Sequence, residues 1–369
     1  MSSHPSHPRR PSSAQLTDAV AQGNVAALQR LLTRDRVITH SWPLLTAIKK
    51  RRWACAAVLL DAIEPAEGSA VGGSHVIVMK DAFMQAANDY ETYAAFEYWQ
   101  RGQLHPMWDD DGLEPIDLEM SREDGTQLGQ VVMRMLRVIS AAEHRFWHDW
   151  VLVRGLTDRL ALPSAAAALG HVDLLAQLLR VAPDAGRLEG HDGTLPIHFA
   201  CFAGHSEIIR RLHAHDAECL TLATDSGMLP IHYAAQEPSG AAVKLVMELA
   251  PQTLGAPAPY GHTALTLAAW AGSLASVRAI HAAAPGMVRA PIMDGQERAI
   301  FAALRGHNLD IVDLVLQHGP PEQLGPTPLG RTPLHEAARR FPQAVAPLLR
   351  LDCLPACPGA RRRASPALP

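Results

Sequence analysis

The sequence predicts an all-α fold: helix–turn–helix units stacked into a repeat solenoid, an α–α superhelix, with short turns or β-hairpin fingers projecting from it. Three observations carry this prediction. Glycines recur 34 residues apart at Gly193, Gly227, Gly261 and Gly295, and Gly330 follows after 35. Behind each glycine the same register repeats: Pro196, Pro230, Ala264, Arg298 and Pro333, then Ile197, Ile231, Leu265, Ala299 and Leu334, with Ala200, Ala234, Ala268, Ala302 and Ala337 three residues further on. Each unit then ends in an apolar run at helical spacing, such as Ile208, Ile209 and Leu212, or Ile311, Val312 and Val315.

Each unit therefore reads as a glycine turn, a first helix rich in alanine, a second turn and an apolar second helix. A proline at the first helical position suits the start of a helix, where its missing N–H would have had no partner. Gly204, Gly272 and Gly306 mark the second turn, and Pro238 and Phe341 stand in its place in two units. A unit of this size cannot bury its own apolar face, so neighbours must stack. One more unit precedes these five, because Gly170-His171-Val172 lies 34 residues before Gly204-His205.

The motif Thr332-Pro333-Leu334-His335-Glu336-Ala337 and its near copies Leu195-Pro196-Ile197-His198-Phe199-Ala200 and Leu229-Pro230-Ile231-His232-Tyr233-Ala234 resemble the signature of the ankyrin repeat. The resemblance implies that the signature histidine hydrogen-bonds within the turn framework and that the histidine after the turn glycine is also structural. It further implies a protein-binding concave surface made by the turn tips and the exposed faces of the first helices.

Towards the N-terminus the pattern loosens. Leu16 to Leu32 reads as a helix pair of the same design, and so does Pro43 to Leu60, with Arg51-Arg52 where glycine and histidine would sit. A third degenerate unit is expected through Ala86 to Tyr90, ending at Tyr98-Trp99, with inserted loops at Gly68–Ser74 and Gly102–Gly125. The expected organisation is a Ser/Pro-rich disordered leader over 1–13, a degenerate helical region over 14–158, an array of about six units over 159–351, and a Pro/Arg-rich disordered tail over 352–369.

Composition narrows the function. The 369 residues are 48% hydrophobic and 19% charged, with a formal net charge of -4, which argues against a general nucleic-acid binder. No apolar run approaches the ~18 residues that span a bilayer, and the N-terminal segment has no hydrophobic stretch of the secretory kind. Five cysteines, Cys55, Cys201, Cys219, Cys353 and Cys357, are too few and too scattered for a disulfide framework, so a reducing, cytoplasmic setting is expected.

Motifs that could carry chemistry are weighed against plainer readings. His144 and His148 stand four apart, as two zinc ligands on one helix face would, but lack the His-Glu-x-x-His order and a third ligand. An amphipathic helix burying Phe146, Trp147 and Trp150 is favoured there. The acidic run Asp109 to Glu114 fails the calcium-loop register and reads as a solvated loop. Lys49-Lys50-Arg51-Arg52 reads as a solvated turn rather than an import signal, and Arg361-Arg362-Arg363-Ala364-Ser365 has the form of a basophilic kinase site. No phosphate loop, nucleophile elbow or dinucleotide fingerprint occurs, and no cofactor is expected.

In a stacked array, function resides in the residues that do not repeat. In the turns these are Asp192, Thr194, Ser226, Met228, Tyr260, His262, Gln296 and Arg331. On the first helices they are Phe202, Gln236, Trp270, Arg305 and Arg339, with Glu237 and Arg340 beside them. Aromatics in the middle and arginines towards the C-terminal end are the usual anchors of a protein interface. The expected function is a non-enzymatic scaffold or adaptor, monomeric, binding a partner protein and neither nucleic acid nor membrane. Two other readings stay open: a bacterial effector that uses the repeats on a host protein, and a small metal-dependent enzyme housed in 62–158 with the repeats as a docking arm.

Overall fold

The computed structural model describes residues 12–32, 41–63, 73–102, 120–142, 161–289, 298–319, 325 and 330–350. Among them every regular element is a helix or a 3₁₀ turn, and no strand occurs. The α-helices are α1 Ser13–Ala21, α2 Val25–Leu31, α3 Trp42–Lys49, α4 Trp53–Ile63, α5 Gly73–Gly102, α6 Arg122–Ala142, α7 Leu162–Leu169, α8 Val172–Val181, α9 Pro196–Ala203, α10 Ser206–His215, α11 Pro230–Gln236, α12 Ala241–Leu249, α13 Ala264–Trp270, α14 Leu274–Ala283, α15 Ala299–Arg305, α16 Leu309–His318, α17 Pro333–Arg340 and α18 Val345–Leu349. The chain divides into two compact units, with the division running through the α9–α10 pair: Ala200 and Arg210–Asp216 belong to the first, Cys201–Ile209 and Ala217 onward to the second.

In the first unit the helices pair and stack in chain order. The first helices pack as α1 on α3, α3 on α5 and α5 on α7, and the second helices as α2 on α4, α4 on α6 and α6 on α8. The starts are set locally: Ser12 and Gln15 form a reciprocal capping box on α1, and Asn24 accepts from the Ala27 N–H on α2. Arg51, in left-handed backbone (φ 53), does take the place that Gly23 and Gly170 hold in their pairs.

The third degenerate unit differs from expectation. The segment Ala86 to Tyr90 contains no turn, because α5 runs unbroken from Gly73 to Gly102 and its partner is α6, far along the chain. Of the two expected loops, Gly73–Ser74 is helical, and Gly102 and Arg122–Gly125 lie in α5 and α6. Tyr90 explains part of the fit: it is fully buried, stacks on His171 at 5.5 Å between ring centroids, and places its Oη 2.6 Å from His171 Nδ1. A Cβ on Gly125 would overlap the Tyr93 ring, and one on Gly129 would overlap His171, so these glycines let α6 approach closely.

In the second unit the same rule holds, with α11 on α13, α13 on α15 and α15 on α17, and with α12 on α14 and α14 on α16. Alanines make the first helices thin: Ala234, Ala235, Ala268, Ala269, Ala302 and Ala303 are almost wholly buried. Ile231, Val243, Val246, Leu265, Val277, Ile300, Ile311 and Val312 fill the space between the two layers.

The second turns depart from the sequence expectation in two places. Pro238 does not take over from glycine, because Gly240 supplies the left-handed residue two positions later (φ 70). Glu237 closes this irregular turn, its buried carboxylate accepting from Ser239 N–H, Ser239 Oγ–H and Ala241 N–H. At the Gly306 turn the left-handed residue is His307 (φ 51), and Gly306 is right-handed. Glycine is required at 306 for a different reason: a Cβ there would run into the Ala269 carbonyl oxygen and lie 3.0 Å from Gly272 N.

Candidate functional site

The fingers are turns rather than β-hairpins. Each of three is closed by one backbone hydrogen bond across five residues: Gly190 N–H to Thr194 O (2.7 Å), Thr224 N–H to Met228 O (3.0 Å) and Ala258 N–H to His262 O (2.8 Å). The chain reverses through left-handed residues at their tips, Asp192-Gly193 in one and Tyr260-Gly261 in another. Glycine tolerates this conformation; a tyrosine in it carries strain. Tyr260 is 83% exposed, so nothing packed on its ring compensates for that strain.

Behind each finger, the signature residue caps the first helix. The N–H groups of Leu195, Leu229 and Thr332 donate to Nδ1 of His198, His232 and His335, at 2.9, 3.0 and 3.3 Å. Thr266 Oγ1 does the same for Thr263 N–H at 2.8 Å. His232 Nε2 in turn reaches the Ala256 carbonyl at 3.1 Å, so its accepting Nδ1 and donating Nε2 define one neutral tautomer. Burial lowers its pKa and favours that neutral form. These histidines have structural work, as the resemblance to the ankyrin repeat implied.

In the second unit, three successive first helices bring their C-terminal ends together. Trp270 ends α13, Arg305 ends α15, and Arg339 and Arg340 end α17. The indole of Trp270 lies against the buried His262 ring at 5.1 Å, and the Arg305 guanidinium sits over the indole, 5.2 Å from its centroid. Burial, the Arg305 charge and His232 push the His262 pKa down to about 4, so its imidazole is neutral at pH 7. Arg305, Arg339 and Arg340 all reach Glu336: Arg340 Nε at 2.9 Å, Arg339 Nη2 at 3.5 Å and Arg305 Nε at 3.6 Å. Glu336 is only 3% exposed.

A family profile described as ankyrin repeats matches residues 164–253 in three copies. Residues 164–253 are ankyrin repeats. No curated protein matches the chain. Ankyrin repeats are protein-binding modules, and the matched repeats run from α7 to α12. The Trp270–Arg305–Glu336 cluster lies beyond the matched repeats, in pairs that keep their helix order and stacking.

The residues expected to bind a partner fall into distinct environments. Asp192 is exposed and Thr194 half-buried on a finger of the first unit. In the second unit, Ser226, Tyr260, Arg331 and Arg339 are exposed, and Phe202, Trp270 and Arg305 are half-buried. Met228, Gln236 and His262 are buried, at 7%, 6% and 4% exposure, so they offer little surface. Met228 closes its finger through the Thr224 hydroxyl, and Gln236 donates to the His232 carbonyl. Glu237, read as an exposed neighbour, is buried as well. Gln296 lies outside the described residues.

Glu336 escaped the sequence reading although a signal was present. It occupies the position that holds Phe199, Tyr233, Leu267 and Phe301 in the other units, all buried and apolar. A carboxylate there, three and four residues before two arginines, marks a charge brought inside on purpose.

Lys49, Lys50, Arg51 and Arg52 are exposed on the turn between α3 and α4, a solvated position. Among the described residues no three His, Cys, Asp or Glu side chains are placed to hold a metal ion, and no helix is long and apolar enough to cross a membrane. His144, His148, Asp109 to Glu114, Cys353, Cys357 and Arg361 to Arg363 lie outside the described residues. Cys55, Cys201 and Cys219 are buried and are not in disulfides.

Proposed function

We propose that this protein is a non-enzymatic scaffold or adaptor, and that it holds a partner protein on the second unit through Tyr260, Trp270 and the arginines around Glu336. The observation that carries this reading is the convergence of Arg305, Arg339 and Arg340 on one buried carboxylate beside Trp270. Arg339 and Arg340 keep about half of their side chains exposed beside this carboxylate, and aromatic and arginine side chains are the residues that dominate interface energetics. The partner is expected to present acidic groups to this end of the array. The three buried thiols are in keeping with a reducing, cytoplasmic setting.

Affinity capture tests the reading. The intact chain is compared with a variant carrying Tyr260→Ala, Trp270→Ala and Arg305→Ala, both first matched for helicity and melting temperature. A partner retained by the intact chain and lost by the variant is the expected result. Equal capture by both would move the binding surface elsewhere, and a variant that melts well below the intact chain would make these residues structural.

A further inference from the structure

We infer that residues 354–360 of this chain dock on the outward face of α17 and close the C-terminal end of the array, as the linker after α12 closes the face of α11. The docking does not depend on the partner surface proposed above.

The first support is a face left open. His198 and His232 are buried at the signature position, and Ala235, Ala269 and Ala303 are buried three residues after it. In α17 the same two positions, His335 and Ala338, are exposed, and Leu334 is half-buried. Residue type is not the cause, since histidine and alanine serve in both settings. The cause is the neighbour: α13 packs on α11 and α15 on α13, whereas α18 is the last described element and no first helix follows α17. A unit cannot cover its own outward face. Leu349, which ends α18, is 55% exposed as well.

The second support lies in the sequence that follows α18. Leu354-Pro355-Ala356-Cys357-Pro358-Gly359-Ala360 repeats the linker Ala250-Pro251-Gln252-Thr253-Leu254-Gly255-Ala256, with proline, glycine and alanine at the same three places. In that linker Thr253 N–H donates to the Ala250 carbonyl and Ala256 N–H to the Thr253 carbonyl, both at 3.1 Å. Thr253 is buried, and Ala256 presents its carbonyl to Nε2 of the signature His232 at 3.1 Å. The copy keeps both N–H donors, in Cys357 and Ala360, and Pro358 forgoes only the longer bond of Leu254 N–H (3.3 Å).

The signature residue of α17 is again a histidine. His335 Nδ1 accepts from Thr332 N–H as His232 Nδ1 accepts from Leu229 N–H, which leaves Nε2–H as the donor, and it meets no acceptor among the described residues. Ala360 follows His335 by 25 residues, and Ala256 follows His232 by 24. Ala360 therefore supplies the carbonyl for His335, and Cys357 takes the buried place of Thr253. Burial of Leu354, Cys357 and the small-residue face of α17 offsets the cost of ordering the segment. Arg361, Arg362 and Arg363 then stand where the next finger would begin, adding three cations to the C-terminal end of the array; only this consequence bears on the proposed partner surface.

The experiment is alkylation of the full chain by iodoacetamide, resolved by residue with mass spectrometry and referred to the rates in urea. Expected is protection of Cys357 by roughly tenfold or more, unchanged on about a hundredfold dilution. Two variants test the place of docking. Ala338→Glu puts a charge on the face and should return Cys357 to within about twofold of its urea rate. His335→Thr keeps an acceptor for Thr332 N–H, as Thr266 is for Thr263 N–H, and removes the Nε2 donor, so the Cys357 rate should rise about fivefold. Cys201, buried within the array, reports folding and should stay protected in both; if Ala338→Glu exposes it, His335→Thr alone decides. Reaction of Cys357 at its urea rate in the parent chain overturns the docking. Protection lost on dilution gives the face to a second copy of the chain, and protection that either folded variant leaves intact puts the segment elsewhere; each of these also overturns it.

Discussion

Replacing Gly306 by alanine should destabilise the second unit although the backbone there suits any residue. Gly306 has φ -73 and ψ -3, so alanine meets no conformational penalty and would gain a few tenths of a kcal/mol at a right-handed helix end. The obstacle is steric. The new Cβ would enter the Ala269 carbonyl oxygen and stand 3.0 Å from both Gly272 N and Trp270 O, all backbone atoms that no rotamer change can move aside. The reverse contact is also tight, since a Cβ on Gly272 would lie 2.7 Å from the Gly306 carbonyl oxygen. Overpacking of this kind costs about 1–3 kcal/mol. Separating the two turns would also stretch the bond from Asn308 Nδ2 to Gly272 O, now 3.1 Å, worth about 1 kcal/mol. The net loss should be about 2–3 kcal/mol. Urea unfolding followed by circular dichroism measures it, with Gly286→Ala as the control, because nothing lies within 4 Å of a Cβ there and its backbone is not left-handed. If the two variants unfold within about 0.5 kcal/mol of each other, the backbone contact between successive turns is not what requires glycine, and the reasoning fails.

Three further outcomes follow from the geometry. Tyr260→Gly removes an exposed ring and relieves left-handed strain, so the thermal midpoint should hold or rise, by about 1 kcal/mol in stability, while partner capture weakens; a destabilised variant would contradict the account of the finger. His262, with a folded pKa of about 4 against ~6.5 unfolded, binds fewer protons folded than unfolded between those values. Its contribution is therefore complete above pH 6.5 and is lost as pH falls towards 4, on the order of 3 kcal/mol at most, and urea midpoints at pH 4.5 and 7 should diverge less in His262→Asn than in the parent. Tyr90→Phe keeps the stacked ring but deletes the hydroxyl facing His171 Nδ1, and should cost about 1–2 kcal/mol in the first unit, read as a lower melting temperature.

The division of labour between sequence and tertiary structure can be followed residue by residue. The period was legible because the units share local requirements: a left-handed glycine at Gly193, Gly227, Gly261 and Gly330, a proline opening α9, α11 and α17, and a side-chain acceptor at His198, His232 and His335. Such requirements are met within a few residues, so they leave a mark at fixed spacing. The α5–α6 pair left none, because its partners are separated by a long interval and its fit depends on Tyr90, Gly125 and Gly129 meeting residues far away in the chain.

The candidate site was legible in part for the same reason. Position in the unit marked Tyr260, Trp270, Arg305 and Arg339 as residues that do not repeat, and the structure places the last three around one centre. Whether a side chain in a turn faces solvent or the interior depends on the neighbouring unit, which is why Met228, Gln236 and His262 are buried although their positions in the pattern match those of exposed residues. The same dependence hid Glu336, whose signature position gives no hint of the arginine arriving from α15. Sequence by itself determined the helix pairs other than α5–α6, with their caps and their order, since these rest on local hydrogen bonds and spacing. Only the tertiary structure decided which polar groups share a buried centre, because desolvation and charge act through space between helices that the chain visits at different times.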